Sequence, residues 1–186
     1  AVYDTAHNRV AHVWSVNDAQ ETSFSLYVYT DEGQTLYTIS GESREQVEAI
    51  PVMTENELNT LTTEQVESML SPKMSIALYD TQEKRVDSVW SRNAAGDVTF
   101  TSYIYDDLGR TLYTITGASK EEVSALPHFT QAELNTLDAE AIDLLLYAGM
   151  SIAVYDVTRS RVDYVWSRSD AGESSFTKYF YNIKKF

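Results

Sequence analysis

Asp4, Asp80 and Asp156 each stand five residues ahead of an arginine: Arg9, Arg85 and Arg161. A carboxylate and a guanidinium at that spacing could grip a sugar or a carboxylate ligand. The same spacing also spans a tight hairpin, where the aspartate accepts from turn N–H groups and pairs with the arginine. An exposed ion pair of that kind contributes about 0–1 kcal/mol. The hairpin role is the expectation, because residues kept in every copy of a unit usually maintain the unit.

Aromatic residues recur in the same way. Tyr27 and Tyr29, Tyr103 and Tyr105, and Tyr179 and Tyr181 form pairs with one residue between. On a strand both rings of a pair share one face. Left open, that face is a platform for stacking on sugar rings or docking a partner; covered, it is core with satisfied hydroxyls. Phe24, Phe100 and Phe176 share the opposite face with Val28, Ile104 and Phe180 and are assigned to the core. Trp14, Trp90 and Trp166 are assigned there too, where truncation of a buried tryptophan costs roughly 3–5 kcal/mol.

Other chemistry is thinly represented. His7, His12 and His128 have no counterparts 76 residues away, so they make no recurring metal or acid–base device. Asp31-Glu32-Gly33 and Asp106-Asp107-Leu108-Gly109 lack the alternating oxygen ligands of a calcium loop and read as turns. The chain has no cysteine, which removes disulfides, thiolate catalysis and Cys-ligated metals. Carboxylates abound, but a glycoside-hydrolysing pair needs one copy in one cleft, and here the acids are repeated or scattered along predicted helix surfaces. No nucleophile elbow, phosphate loop or His-Glu-x-x-His occurs. The expectation is no catalytic residue, no metal and no cofactor.

These residues are positioned by an internal repetition. At an offset of 76, Trp14 falls on Trp90 and Trp166, Phe24 on Phe100 and Phe176, and Arg9 on Arg85 and Arg161, with no gap. About half the positions of the first two copies are identical. The spacing predicts units at 1–76, 77–152 and a partial third at 153–186. Strand-like sequence covers about 1–41 and 77–117, and helical sequence about 42–72 and 118–149; the third copy is strands only. In the second copy the strands expected are 75–79, 85–92, 98–105 and 110–116, with Gly96 and Gly109 at turns that favour positive φ. Ser43, Thr54, Ser119 and Thr130 open capping boxes, and Pro51 and Pro127 separate the first helix from the second. Helix is also expected over 138–147, with Leu134, Leu137, Ile142 and Leu145 on one face and Gly149 as its stop. The fold class predicted is α+β: tandem 76-residue repeats, each a four-stranded antiparallel meander followed by three short helices over a sheet face. The ending Asn182-Ile183-Lys184-Lys185-Phe186 departs from the pattern and reads as a diverged terminal cap or a cut within a longer array.

Composition narrows the partners. The formal charge is −14, from 28 acidic against 14 basic residues. Scattered lysines and arginines make no phosphate-binding face, which argues against nucleic acid and anionic lipid. No apolar run approaches the roughly 20 residues of a membrane-spanning helix. Ala1 leads straight into the first unit, which says little about a leader.

Tyr105-Asp-Asp-Leu-Gly-Arg-Thr-Leu-Tyr-Thr-Ile-Thr-Gly117 resembles the core of a YD repeat, the motif of Rhs-type bacterial proteins and teneurins. Tyr29-Thr-Asp-Glu-Gly-Gln34 is similar, with Thr30 and Gln34 at the Asp and Arg positions. Tyr79-Asp80 and Tyr155-Asp156 resemble further starts without the glycine. The resemblance covers around a third of each unit and implies β-hairpin arrays that build shells or extracellular surfaces, without catalysis by the repeats. The regular helical insert departs from that family.

The functional expectation is therefore a non-catalytic array of a secreted or surface protein, acting as an interaction or spacer module. The alternatives are a carbohydrate-binding adhesin module using the tyrosine pairs and, with least support, a glycoside-type hydrolase. The partner would be a protein or a glycan, with self-association through strand edges as a further route.

Overall fold

The computed structural model describes residues 1–18 and 20–181. The chain divides into two compact units, Ala1–Phe100 and Thr101–Phe186, with the division inside strand β7 (Val98–Tyr105). The first unit holds β1 (Val2–Asp4), β2 (Arg9–Val16), β3 (Thr22–Tyr29) and β4 (Thr35–Gly41). Three helices follow, α1 (Arg44–Glu48), α2 (Glu55–Asn59) and α3 (Thr63–Met69), then β5 (Ser75–Asp80) and β6 (Arg85–Arg92). The second unit holds β8 (Thr111–Gly117), α4 (Lys120–Ala125), α5 (Gln131–Leu134), α6 (Ala139–Leu145), β9 (Ser151–Asp156), β10 (Arg161–Arg168) and β11 (Ser174–Lys178).

The predicted α+β class is overturned. The strands form a single 11-stranded antiparallel sheet whose order is the chain order, β1 to β11. Strand accounts for 41% of the molecule and helix for only 19%. The reason lies in the strand after which each helical segment leaves. In the first unit β5 returns beside β4, with Tyr37 opposite Leu78, Ile39 opposite Ile76 and Ser40 opposite Ser75. In the second, β9 returns beside β8, with Tyr113 opposite Val154 and Ile115 opposite Ile152. A meander closed at β4 or β8 would leave a row of N–H and C=O groups without partners; the antiparallel return satisfies them and carries the sheet onward. The helices are thus excursions from a β framework and make no class of their own.

They are short excursions. None exceeds seven residues, and isolated helices of that length are marginal in water. Local chemistry and one anchor each hold them. Ser43, Thr54, Thr62 and Thr130 complete capping boxes, while Ser119 and Asp138 accept from the backbone of the third helical residue. Each helix buries a single residue: Val47, Leu58, Val66, Val123, Leu134 and Ile142 in turn. The sheet reaches up to the segments between helices. The Tyr37 hydroxyl accepts from the Met53 N–H at 2.9 Å, and the Tyr113 hydroxyl from the Phe129 N–H at 2.8 Å. Gly41 lets α1 close on β4, because a Cβ there would lie 3.1 Å from both Val47 and Met74. Gly117 does the same under Val123 and Met150, at 3.0 and 3.2 Å.

The expected face of the last helix shifts by one residue. Leu134 and Ile142 are buried, but Leu146 takes the place assigned to Leu145. Helical geometry stops at Leu145; Leu146 is extended (φ −90°, ψ 133°) and turns its side chain inward. Tyr147 is outside the helix and exposed. Gly149, at φ +78°, shapes the turn into β9 and stops no helix directly. Asn182–Phe186, read as a cap, lie outside the described residues.

Candidate interaction surface

The sheet residues that meet helices share one face. On β6 they are Ser88, Trp90 and Arg92, and on β10 Tyr164, Trp166 and Arg168, at the alternate spacing of a strand. Arg92 holds α3 down. Its Nη1 donates to the carbonyls of Glu67 and Leu70, both at 2.7 Å, and its Nε to Gly96 O at 2.9 Å. Arg168 repeats the arrangement on α6, with Nη1 donating to Asp143 O at 2.6 Å and Leu146 O at 2.8 Å. A guanidinium at a helix C-terminus satisfies carbonyls that have no partner within the helix and meets the negative end of its dipole. Sequence reasoning missed both arginines. The available signal was the contrast at the offset of 76: arginine stands at 92 and 168, and valine at 16.

Each recurring tryptophan packs on its phenylalanine in the neighbouring strand. Ring centroids lie 4.7 Å apart for Trp14–Phe24 and Trp90–Phe100 and 4.6 Å for Trp166–Phe176. Their burial differs, which corrects the assignment of all six rings to the core. Trp90 is fully buried, Trp166 half-buried and Trp14 50% exposed. Phe24 is fully buried beneath the α1 side of β3, whereas Phe176 on the last described strand is 49% exposed. Phe180, also assigned to the core, is 88% exposed. The pair geometry belongs to the strands, and the burial belongs to whatever lies over them.

The aspartates and arginines act separately more than together. Asp4 Oδ1 accepts from Ala6 N, Asp80 Oδ1 from Gln82 and Glu83 N, and Asp156 Oδ1 from Thr158 N and its hydroxyl. The His7 hydrogen bond holds the Asp4 carboxyl below its usual range, and the Thr158 hydroxyl does so for Asp156. Asp4 reaches Arg9 at 3.4 Å, Glu83 reaches Arg85 at 4.0 Å, and Asp156 reaches Arg159 at 3.6 Å. Arg9 instead stacks over the Tyr29 ring at 4.4 Å, and Arg161 over Tyr181 at 4.0 Å. The hydroxyls of those tyrosines donate to Val10 O and Val162 O, at 2.6 and 2.8 Å. Burial pushes the Tyr29 hydroxyl pKa up.

Tyr29 and Tyr181 brace the first hairpin of their segments. Tyr27, Tyr103 and Tyr105 are half-buried, and burial raises the Tyr103 pKa. Tyr179 and Tyr181 stack at 6.4 Å and are exposed. Hydroxyl pairs join neighbouring strands on the face turned away from the helices. In the first unit they are Ser15–Ser23, Ser25–Ser40 and Ser91–Thr99, at 2.6 to 2.9 Å; in the second, Thr101–Thr116 and Ser167–Ser175. Because the serine and threonine positions alternate with the core, they were legible as strand surface but not as pairs.

The second unit also carries an aromatic groove of about 510 Å³ that includes Tyr105, His128 and Phe129 along with Asp106 and Arg110. Arg110 donates from Nε to Asp106 Oδ2 at 2.7 Å, and that bond holds the Asp106 carboxyl below its usual range. An aromatic wall beside a fixed ion pair can stack on a sugar ring and hydrogen-bond its hydroxyls. Sequence reasoning named Tyr105 as a binding candidate, considered His128 only as an unrepeated histidine, and did not name Phe129. His7 pairs with Asp4, and the His12 ring lies 5.2 Å from Phe24, so the two histidines are not brought together as ligands. Among the described residues no group of three or more His, Asp or Glu is placed to hold a metal, and no helix is long and apolar enough to cross a membrane. Comparison with protein-family models, curated proteins and solved structures finds no match.

Proposed function

We propose that the chain is a non-catalytic interaction or spacer module of a secreted or surface protein. The observation that carries this reading is how the recurring polar groups are used. The aspartates close turns, Arg9 and Arg161 stack on tyrosines, and Arg92 and Arg168 cap helices. A group committed to such bonds is a poor nucleophile or proton carrier, since reaction would break the hairpin or helix it holds. Strong acidity favours solubility of an extended sheet, and the YD-like stretch 105–117 agrees with a surface role. The test is turnover of chromogenic glycosides, esters and phosphates by the full chain at high concentration. The expected outcome is none above background. Turnover that co-purifies with the chain and disappears in a single Asp→Asn or Glu→Gln variant overturns the reading.

Carbohydrate binding is the second reading, favoured by the Tyr105–Phe129 groove with its Asp106–Arg110 pair. Glycan-array binding that is lost in Tyr105→Ala and Phe129→Ala supports it. Binding to no glycan, or binding unchanged by both substitutions, removes it.

A further inference from the structure

We propose that a polar cup in the first unit, where the β3–β4 turn meets the β5–β6 turn, binds one sugar residue carrying a single carboxylate, a hexuronate. The inference goes beyond the reading of the chain as an interaction module by giving that module a ligand. It concerns a different place from the Tyr105–Phe129 groove.

The cup measures about 380 Å³, and its wall includes Glu32, Gln34 and Thr35 from one side and Tyr79, Thr81 and Lys84 from the other. Small-ligand sites run from about 300 Å³ upward. Both turns are pinned without help from these side chains. Thr30 N–H donates to Gln34 O and Lys84 N–H to Asp80 O, each at 2.8 Å, and Asp80 Oδ1 accepts from Gln82 and Glu83 N–H. Elsewhere in this unit the cations are committed: Arg9 lies over Tyr29, Arg44 pairs with Glu48, Lys73 pairs with Glu42, and Arg92 holds α3. Among the described residues the Lys84 ammonium has no ion pair, hydrogen bond or ring contact. The hydroxyls of Thr35, Tyr79 and Thr81 and the side-chain amide of Gln34 likewise have no hydrogen-bond partner among the described residues. Uncommitted polar groups therefore converge on this cup, in a molecule that otherwise uses its polar side chains to hold turns and helices.

The hairpin does not account for the lysine. Position 84 has φ +55°, and the equivalent positions carry Asn8 at +51° and Ser160 at +50°. Asparagine suits that left-handed backbone better than lysine does, so the ammonium adds nothing to the turn. The second unit supplies the contrast. Thr35 and Tyr79 recur as Thr111 and Tyr155, but Glu32, Gln34, Thr81 and Lys84 become Leu108, Arg110, Val157 and Ser160. Arg110 is held by Asp106 at 2.6 Å. Strand residues are kept between the units, and the uncommitted polar set is not. The chemistry of that set selects the ligand. One free ammonium balances one carboxylate. Three hydroxyls and an amide both donate and accept, and the Glu32 carboxylate accepts, which suits several sugar hydroxyls at once. Glu32 and the formal charge of −14 oppose a phosphate dianion or a polyanion, so the carboxylate is single.

The experiment follows the backbone amide NMR signals of the full chain during titration with methyl glucuronide, methyl glucoside or acetate. The glucuronide should saturate in the millimolar range and move the amides of Gln34, Thr35, Thr81 and Lys84, while those of Arg110, Thr111, Val157 and Ser160 stay in place. The glucoside and acetate should each bind about tenfold more weakly or less well still. Lys84→Asn should keep or raise the thermal midpoint and weaken glucuronide binding about tenfold. Thr81→Val, which imports the residue of the second unit, should weaken it severalfold with the fold intact. Acetate binding as tightly as the glucuronide makes the cup a site for an adventitious ion only and overturns the proposal. So does a glucoside that binds equally well, since the charge of Lys84 would then have no part. Binding unchanged in Lys84→Asn, or no saturation by the glucuronide in the millimolar range, overturns it too. Such a failure leaves the non-catalytic reading of the chain in place, whereas turnover of a chromogenic substrate would defeat that reading and leave the measured affinity of the cup standing.

Discussion

Replacing Arg92 by methionine keeps the apolar bulk of the stem and removes the guanidinium. Three hydrogen bonds disappear: two from Nη1 to Glu67 O and Leu70 O, and one from Nε to Gly96 O. Hydrogen bonds from a charged donor contribute about 1.5–3 kcal/mol each when water is excluded. Arg92 is half-buried, and water reaches the Glu67 carbonyl, so the lower end applies and one bond is largely replaced. The loss should be about 2–4 kcal/mol. With a urea m-value of about 1–3 kcal/mol/M, the unfolding midpoint should fall by about 1–2 M. Amide exchange should quicken most at the end of α3. Arg92→Lys should recover less than half, because an ammonium cannot reproduce the planar fork that reaches both the helix and the Gly96 turn. A midpoint within about 0.2 M of the original in Arg92→Met, or full recovery in Arg92→Lys, would refute the idea that this guanidinium fastens α3 to the sheet.

Trp90→Ala should cost about 3–5 kcal/mol and Trp14→Ala under about 1 kcal/mol, read from urea midpoints, because one ring is buried and the other half in water. Gly117→Ala should destabilise by about 1–3 kcal/mol, since the new methyl meets Val123 and Met150 closer than van der Waals contact allows; an unchanged thermal midpoint would count against that crowding. Tyr29→Phe removes the bond to Val10 O and should cost about 1 kcal/mol. The pKa values of Glu57 and Glu133 are lowered, first by the N–H groups of Thr54 and Thr130. A depressed folded value makes the stabilisation complete above the ordinary carboxylate range and lost as pH falls through the folded value. Stability should therefore decline with acid through that window, and the double variant Glu57→Gln, Glu133→Gln should show a shallower decline in a pH series of thermal scans.

Local elements were legible where local chemistry decides them. The strand expected over 98–105 is observed over Val98–Tyr105, and the boxes at Ser43, Thr54 and Thr130 start helices where their hydrogen bonds require. Class was not legible, because it depends on whether β4 stops the sheet or receives β5. Ile39 between Thr38 and Ser40, and Ile76 between Ser75 and Ala77, fit a strand equally well in either case, and nothing local states that the two will face each other. The anchoring arginines were hidden for a similar reason: Arg92 ends a strand, and its partners lie 22 and 25 residues earlier. The groove went unseen because Phe129 follows a helix and Tyr105 ends a strand, so only the fold brings them together.

Recurrence in sequence misled most where it looked strongest. A tryptophan that returns every 76 residues invites one environment for all copies, and the ring pairs do share one geometry. Geometry comes from the strand that carries the ring and the strand beside it, both supplied locally. Burial comes from an element that departs tens of residues away and must return to the right place. Trp90 has α3 tied to its strand through Arg92, whereas Trp14 stands two residues from Val16 and is half exposed among the described residues. The exchange of one arginine for valine therefore accompanies a difference in burial that the invariant tryptophan hides. A comparison of Trp14 and Trp90 isolates that cover as the variable, since strand pairing, ring contact and tilt are held constant within one molecule. If the energetic gap between the two alanine variants closed, burial by the helix would contribute nothing beyond the ring pair.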